Sequence, residues 1–315
     1  MKTIHTFNLS EKILNAYITI GTFDGIHLGH QKRIQTVINN AKANGGTSVV
    51  ITFDPHPKFI FAPGASHNLL CSKSHKERII RSFNPDYYVV IPFDRKFSQV
   101  TSEQFIIELT KNFEIKELCI SHDFRFGFKR QGTANELVNA GKTAGFKTIV
   151  HDSLMVDTIP LSSSNILKFI SDGDFETAEK LLGRRFSLLG TVIKGHNMGR
   201  KIGYPTANID PKEEIIPPGG VYICEIIIDE ICYQGLANIG NRPTFNKERS
   251  IKQSVETYIF DFDQDIYDKQ IEIIFIKKLR EDKQFPDAQS LVNQIHADEI
   301  EARKFFTGIY TSQQK

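Results

Sequence analysis

The first half of the chain alternates short apolar runs with stretches of helical periodicity. Apolar runs typical of buried strands lie at 16–20, 47–53, 87–91, 118–121 and 148–151. Apolar residues recur at helical spacing in three stretches between these runs, at 30–44, 102–113 and 133–144. Strands joined by helical crossovers predict a parallel sheet with helices on both of its faces.

The second half has the pattern of an antiparallel structure. Strand-like runs separated by Gly, Pro and Asn lie at 186–193, 221–228, 231–237, 254–260 and 271–279. Such a series predicts a small antiparallel β-barrel. Two short helices at 163–171 and 175–182 join the halves, and a helix near 291–305 closes the chain. We therefore predict three parts, an α/β domain, a helical linker and an all-β domain, at 1–160, 161–183 and 184–315.

Composition is that of an ordinary globular chain with more than one core. The chain has 315 residues, which favours two domains. Lys+Arg 39 against Asp+Glu 37 gives a net charge of +2, so nothing indicates a nucleic-acid partner. Apolar stretches fall short of the ~20 residues of a membrane helix, and we expect a cytoplasmic protein without a membrane partner. Four cysteines without a Cys-x-x-Cys pair predict neither a disulfide framework nor a zinc ribbon.

A loop bracketed by glycines follows the first long strand and carries two histidines. It reads Gly21-Thr-Phe-Asp-Gly-Ile-His-Leu-Gly-His30. The helix that begins there offers free N–H groups and a positive dipole end to a phosphate. His27 and His30 can donate to the same phosphoryl oxygens, and Gly29 between them leaves room for a nucleotide. A zinc site of His27, His30 and Asp24 is an alternative, although no further ligand at suitable spacing is obvious.

A segment dense in glycine opens the predicted barrel. It runs from Gly190 to Asn208 and ends in Gly-Tyr-Pro-Thr-Ala-Asn. Its glycines would let a loop fold over nucleotide phosphates, but no Gly-Lys-Ser/Thr makes it a Walker A motif. Thr206 and Asn208 are two apart, face the same way on a strand, and carry oxygens that suit Mg²⁺. From the residues alone, a plain glycine-rich hairpin with a turn asparagine is an equally good interpretation.

Both segments resemble those of the prokaryotic bifunctional riboflavin kinase/FAD synthetases. The histidine loop is similar to the H-x-G-H signature of the nucleotidylyltransferase superfamily, and the glycine-rich segment matches the riboflavin kinase signature nearly residue for residue. Further segments that resemble the family occur in the same order at 52–57, 123–127, 161–166, 238–245, 255–262 and 279–285. The resemblance implies a Rossmann-like nucleotidylyltransferase sheet followed by a kinase barrel with a closing helix.

The chemistry implied by this resemblance is two ATP-dependent transfers, each with Mg²⁺. Riboflavin becomes FMN on the barrel, where Glu256 acts as general base on the 5′-hydroxyl. FMN then becomes FAD when its phosphate attacks the α-phosphorus of ATP and pyrophosphate leaves. His27 and His30 donate to the α-phosphate and the leaving group. The partners are thus riboflavin, FMN, FAD and ATP, and the sequence leaves the oligomeric state open.

The same resemblance implies which residues contact these substrates. In the first half, the ATP contacts are Gly21, Phe23, Asp24, Gly29, Ser162, Ser163 and Ser164. On the barrel, they are Gly190, Lys194, Gly195, Gly199 and Thr206. The flavin contacts are His56, Asp123 and Phe126 in the first half and Arg280 and Phe285 in the second. The Mg²⁺ contacts are Thr206 and Asn208.

The departure from the family pattern that motivates the alternatives lies just after the serine-rich segment. Leu167 stands where the family usually has an arginine after its Ser/Thr-rich loop, and the neighbouring Lys168 cannot copy a bidentate guanidinium. A riboflavin kinase with a decayed first domain is therefore one alternative, and a flavin-sensing regulator is another. At single positions, core packing of Phe126 and an exposed, salt-bridged Glu256 are the structural alternatives.

Overall fold

The computed structural model describes residues 1–62, 68–195, 198–242 and 252–312. The chain forms two compact units, Met1–Asn165 and Ile166–Lys315. The predicted division at 160 and 183 stays a prediction.

The first unit contains ten strands and, together with the start of α6, six helices among its described residues. The strands are β1 Lys2–Ile4, β2 Ile13–Ile20, β3 Thr47–Asp54, β4 Tyr87–Pro92, β5 Phe113–Ser121, β6 Arg125–Phe126, β7 Gly132–Thr133, β8 Lys147–His151, β9 Met155–Val156 and β10 Ile159–Pro160. The helices are α1 Leu28–Ala43, α2 Pro57–Phe61, α3 Lys73–Ser82, α4 Ser102–Asn112, α5 Ala134–Ala144 and α6 Ser163–Asp172.

Six of these strands form one sheet in the order β1-β4-β3-β2-β5-β8. Every pairing in it is parallel. From β2 the chain proceeds first to one side of the sheet and later to the other, so a crevice opens between the carboxyl ends of β2 and β5. This topological switch point is where open α/β sheets bind their ligands.

Alternating side chains of the strands build a core on each face of the sheet. Val49 and Ile51 of β3 pack with Leu109 of α4 and Leu137 of α5. Val50, between them, belongs to the opposite cluster with Ile34 of α1 and Ile80 of α3. Because successive strand side chains point to opposite faces, an almost continuous apolar run serves both cores. The predicted sheet, covered on both faces, is confirmed.

The second unit is built on a closed antiparallel barrel in the order β11-β12-β15-β14-β13-β16. Its strands are β11 Ser187–Ile193, β12 Thr206–Asp210, β13 Gly220–Ile228, β14 Ile231–Arg242, β15 Lys252–Ile259 and β16 Gln270–Arg280. Its further helices are α7 Phe175–Leu182, α8 Met198–Lys201 and α9 Ala288–Ser312. Pairing of β11 with β16 closes the ring. The predicted barrel with a closing helix is thereby confirmed.

Two helices cover the barrel with apolar side chains. Phe175 of α7 lies 5.5 Å from the Tyr222 ring and 5.8 Å from the Phe275 ring, centroid to centroid. On α9, Ala302 and Phe306 are buried in a cluster with barrel residues such as Val221. Burial of such side chains is worth roughly 1.5–3 kcal/mol each, so both helices are part of the stable unit.

Candidate active sites in the two units

A cleft of about 720 Å³ opens in the first unit at the switch point of the sheet. Its wall includes Gly21 just after β2, Ser121 at the end of β5 and His151 at the end of β8. The lining residues come from five separate segments of the chain, within 21–33, 53–62, 93–105, 121–130 and 151–164. The cleft thus gathers most of the site residues predicted for the first half.

The two predicted histidines lie together on the cleft wall. His27 is the N-cap residue of α1, and His30 lies in the first turn of that helix. Their rings stack with centroids 3.7 Å apart and an interplanar angle of 19°. They are only 7% and 8% exposed, respectively. Both imidazoles therefore face the cleft at the positive end of the α1 dipole, where an anionic group is stabilised.

The glycine-bracketed loop has an unusual backbone that places this helix start. Phe23, Gly25 and Ile26 have φ values of 50°, 77° and 40°. For a β-branched residue such as Ile26 this left-handed region is costly, so the surrounding structure must impose it. Lys76 of α3 helps, since its buried Nζ donates to the carbonyl oxygen of Thr22 over 2.6 Å.

Asp24 holds the same loop from behind. Its Oδ1 accepts hydrogen bonds from the backbone N–H groups of Leu70, at 2.9 Å, and Cys71, at 3.2 Å. Burial raises the pKa of this carboxyl, while Lys76 and Lys58 lower it. Asp24 and the fully buried Phe23 are absent from the cleft wall, so the structure shows these two predicted ATP contacts supporting the loop. Direct contact of either side chain with ATP stays a prediction.

The serine loop closes the cleft beside the histidines. Ser162, Ser163 and Ser164 all line it. The Ser162 hydroxyl accepts from the Asn165 N–H at the start of α6, and Ser163 Oγ donates to the Asp24 carbonyl oxygen over 2.8 Å. The structure therefore joins the two loops that the sequence predicted to share one nucleotide.

The histidine loop and the serine loop approach each other closely at Gly29, which has no side chain. A Cβ at this position would lie 3.2 Å from the His27 ring and 3.3 Å from Leu161, which precedes the serines. Such contacts are closer than most side chains tolerate. A side chain at position 29 would therefore press on both the His27 ring and the Leu161 side chain.

Phenylalanines line another part of the cleft wall. Phe126 contacts Phe105 and Phe124, with ring centroids 5.3 Å and 5.7 Å away. Phe53, Phe93 and Phe97 continue this wall. An apolar aromatic surface of this kind suits a flat aromatic ligand. Phe126 is only 6% exposed and belongs to the core, so it both packs in the core and lines the cleft.

Two predicted polar flavin contacts also reach this cleft. His56 and Asp123 both line it. His56 is the N-cap residue of α2, and its Nδ1 accepts from the Lys58 N–H over 3.2 Å.

Three of the lining residues that the sequence reasoning missed carry basic side chains next to the histidines or at the end of β8. Arg33 is buried on α1, Lys32 is exposed beside it, and His151 ends β8. Burial lowers the pKa of His151, and the charges of Lys32 and Arg33 lower it further. In the sequence, the burial of Arg33 is indicated by its position directly before the apolar Ile34, near the helix face that turns toward the sheet.

In the barrel, three polar side chains form one row across neighbouring strands. Asn208 of β12 pairs with Glu256 of β15, and Glu256 pairs with Asn238 of β14. Residues directly opposite in such a ladder point to the same face. Asn238 lay in a segment that resembles the family, yet we did not assign it a role. Its Oδ1 is buried and has no hydrogen-bond partner among the described residues.

The glycine-rich segment packs directly on the predicted Mg²⁺ side chains. A Cβ at Gly195 would occupy the space of the Asn208 carboxamide, and one at Gly199 would lie 3.1 Å from Thr206 Oγ1. Gly190 lies at the strand pair of β11 and β12, where a Cβ would collide with Ile209. Glycine is thus required for close approach at these positions. Lys194 is exposed.

Arg280 and Phe285 are brought together beside α9. The Arg280 guanidinium carbon lies 5.8 Å from the Phe285 ring centroid. Arg280 Nε and Nη2 also donate to the buried Asp298 carboxylate at 2.8–3.0 Å. This arginine is already paired within the protein, and a contact of Arg280 with the flavin stays a prediction. Residues 243–245 of the segment at 238–245 lie outside the described residues.

No helix in the described ranges is both long and apolar enough to cross a membrane. In the same ranges, no three His, Cys, Asp or Glu side chains come close enough together to hold a metal ion. The zinc alternative therefore gains no support, since Asp24 binds backbone amides instead of joining His27 and His30.

Comparisons with known proteins agree with both sites. The FAD synthetase family model matches residues 10–165, and the riboflavin kinase family model matches residues 182–306. A bifunctional riboflavin kinase/FMN adenylyltransferase from Buchnera aphidicola (strain APS) is 36% identical over 95% of this chain and 96% of its own. The proteins of that name from Escherichia coli K12 and Bacillus subtilis are 34% and 32% identical. The match to the E. coli protein covers 92% of this chain and 92% of that protein. The match to the B. subtilis protein covers 98% of this chain and 99% of that protein.

A solved structure shows the same fold over nearly the whole length. A crystal structure described as a macrolide-efflux protein from Streptococcus pneumoniae superposes with a TM-score of 0.81. It is 28% identical and covers 96% of this chain and 98% of its own.

The fold and the two sites define a two-domain transferase that acts on flavins with ATP. The chain belongs to the bifunctional riboflavin kinase/FMN adenylyltransferase family. It phosphorylates riboflavin to FMN and adenylylates FMN to FAD, as predicted. ATP is therefore a substrate of both reactions, and riboflavin, FMN and FAD are their other substrates and products.

Proposed function

We propose that FMN is adenylylated in the cleft of the first unit and that riboflavin is phosphorylated at the Asn208–Glu256–Asn238 row of the barrel. The observation that carries the first assignment is the stacked pair His27 and His30 at a helix N-terminus, in a cleft that phenylalanines also line. The histidine pair suits phosphates, and the phenylalanines suit an isoalloxazine ring.

In the cleft, the residues position two substrates and stabilise developing charge. A phosphate oxygen of FMN forms a bond to the α-phosphorus of ATP, and the bond from that phosphorus to the bridging oxygen of the β-phosphate breaks. Pyrophosphate leaves with the electron pair. His27 and His30 donate hydrogen bonds to the α-phosphate and the leaving group, and Gly21, Gly29 and the serine loop bound the space for ATP. His56, Asp123 and Phe126 contact the flavin.

On the barrel, Glu256 removes a proton from the 5′-hydroxyl of riboflavin. The hydroxyl oxygen attacks the γ-phosphorus of ATP, and ADP leaves. Glu256 suits this task because it is half-buried between the two asparagines Asn208 and Asn238. The glycine-rich segment around Gly195 and Gly199 binds the ATP phosphates, with Lys194 at its edge, while Arg280 and Phe285 border the flavin.

The oxygen atoms of Thr206 and Asn208 fit Mg²⁺. Both are neutral oxygen donors on one face of β12, and the backbone of Gly195 and Gly199 approaches them closely. Mg²⁺ usually takes few protein ligands and completes its shell with phosphates and water, so the absence of an acidic cluster among the described residues agrees with this assignment. When bound, the ion neutralises charge on the ATP phosphates. The reactions take place where ATP is abundant, which favours the cytoplasm.

The test is a time course with riboflavin, ATP and Mg²⁺, in which riboflavin, FMN and FAD are separated by chromatography. We expect FMN to rise and then give way to FAD. A second reaction is started with FMN, so that the cleft is tested without the barrel. If neither reaction yields FAD, the cleft is inactive, which is the alternative that the Leu167 departure motivates. The same reactions without Mg²⁺ should yield neither product.

A further inference from the structure

The cleft contains a buried charged side chain, that of Arg33, to which the proposed reaction assigns no role. Arg33 lies on α1, three residues after His30 and thus on the same face of the helix. It is 6% exposed and lines the cleft. Its guanidinium carbon lies 5.4 Å from the centroid of the Phe23 ring, whose edge also meets His30.

Among the residues that the structure describes, the Arg33 guanidinium has no anionic partner. In the described ranges, no carboxylate lies within 4.0 Å of it, and no acceptor hydrogen-bonds to it. Burial lowers the pKa of Arg33, and Cys119 and Asp123 oppose this effect. The Cys119 thiol is neutral near pH 7, because burial raises its pKa to about 12. Only Asp123 is left as a negative charge, beyond ion-pair distance.

A buried, unpaired guanidinium is expensive for a folded protein. Arginine does not escape the cost by losing its proton. Contact with the Phe23 ring offsets only part of this cost, because the ring carries no negative charge. The group would therefore gain much from an anion that enters the cleft.

The charge of the cleft wall favours such an anion. Its permanent cations are Lys32, Arg33, Lys58, Arg125 and Arg130, and its carboxylates are Asp123 and Asp152. Of these five cations only Arg33 is buried. An arginine fork binds phosphate through two parallel hydrogen bonds, which a surface lysine cannot do.

We propose that Arg33 binds a phosphate group of a substrate in the adenylylation cleft. This inference rests on the proposed function of the cleft. ATP and FMN both carry phosphate, and either could supply the group. Arg33 would also give the cleft the guanidinium that the serine loop lacks, since Leu167 follows that loop.

The test compares Arg33→Gln and Arg33→Lys with Lys42→Gln, which removes an exposed positive charge near the end of the same helix. Formation of FAD from FMN and ATP gives kcat and both KM values. Riboflavin kinase activity of the same preparation and thermal melting report folding. Arg33→Gln should raise one KM roughly 10- to 100-fold, the scale of a lost charged hydrogen bond. Arg33→Lys should raise the same KM less, and Lys42→Gln should change neither the KM for ATP nor the KM for FMN.

The two sources of phosphate are distinguished by which KM rises. A higher KM for ATP, with weaker calorimetric binding of inorganic pyrophosphate, assigns Arg33 to the triphosphate. A higher KM for FMN alone assigns it to the flavin phosphate. The proposal would be overturned if Arg33→Gln had unchanged KM values and bound pyrophosphate as the wild type does. If Arg33→Gln does not fold, wild-type KM values in Arg33→Lys would overturn it instead. Wild-type chain that forms no FAD, or His30→Ala that forms it normally, would instead refute the function of the cleft.

Discussion

The two units treat a poorly exposed arginine in opposite ways. In the barrel, Arg280 is held by the buried Asp298 through three hydrogen bonds of 2.8–3.0 Å. In the cleft, Arg33 has no such partner among the described residues and lines open space. The paired arginine fixes α9 to the barrel before any substrate arrives. The unpaired one is a cost to folding that substrate binding can relieve. Position and burial alone therefore do not reveal the role of an arginine, but its partners do.

The largest effect that we expect separates the two units by activity. Glu256→Gln keeps the shape of the side chain but removes the base, so riboflavin phosphorylation should fall by roughly 10²–10⁴-fold. FAD formation from added FMN should be unchanged. Both rates are measured on one preparation, with riboflavin binding as a control for folding. Normal phosphorylation in this variant would show that another group takes the proton.

The reciprocal change is His30→Ala in the cleft. Loss of one donor to the transition state should cost adenylylation about 3 kcal/mol, or more than a hundredfold in rate. Kinase activity should persist, because His30 belongs to the other unit. The exposed His5 offers a matched control, His5→Ala, which should leave both rates as they are. If FAD formed at the wild-type rate in His30→Ala, the assignment of the histidine pair would be wrong.

A third change tests the paired arginine. Asp298→Ala leaves Arg280 without its carboxylate in a partly buried place and should lower the free energy of unfolding of the barrel by roughly 2–3 kcal/mol. The control is Asp261→Ala, since Asp261 is 79% exposed and its bond to Arg303 should be worth less than 1 kcal/mol. Denaturation followed through kinase activity reports the barrel. Equal losses in the two variants would contradict a structural role for the Arg280–Asp298 pair.

The smallest effect concerns pH and the cleft. The pKa of His151 is lowered, chiefly by burial and then by Lys32 and Arg33, although Asp152 and Glu117 oppose this. Below about pH 6.5 the unfolded chain therefore binds a proton at His151 that the folded chain binds less well. The free energy of unfolding decreases as the pH is lowered through this range. Melting temperatures between pH 7.5 and 5.5 should drop more in wild type than in His151→Gln. The change His5→Gln should not reduce the drop. Parallel curves for wild type and His151→Gln would exclude His151 as the source.

Sequence patterns predicted the architecture well because each core demands continuous apolar runs. The helix Phe175–Leu182 has exactly the predicted bounds, and the strand at 221–228 is only one residue longer. The helix Lys73–Ser82 was missed because just two of its ten residues, Ile79 and Ile80, are apolar. The strand Thr206–Asp210 has no apolar run of its own, and the sequence indicated only its facing pair Thr206 and Asn208, without bounds.

The sites were predicted less completely than the fold. Local motifs identified the histidine pair and the glycine-rich segment, which act through residues close in sequence. The bonds of Asp24 to the N–H groups of Leu70 and Cys71 could not be predicted, because these partners lie far along the chain. Arg33 was not among the predicted site residues. Its place on the helix face that turns toward the sheet indicated burial, but no local pattern indicates which distant segments will enclose a charged side chain.

Closure of the barrel has a consequence for synthesis on the ribosome. The ring is complete only when β11 pairs with β16, so residue 280 must have emerged. The last residue of the cleft wall, Ser164, emerges over a hundred residues earlier, roughly 5 to 25 s before at ordinary translation rates. The unit that consumes FMN can thus fold before the unit that produces it. During that interval a growing chain can adenylylate only FMN released by finished copies of the enzyme.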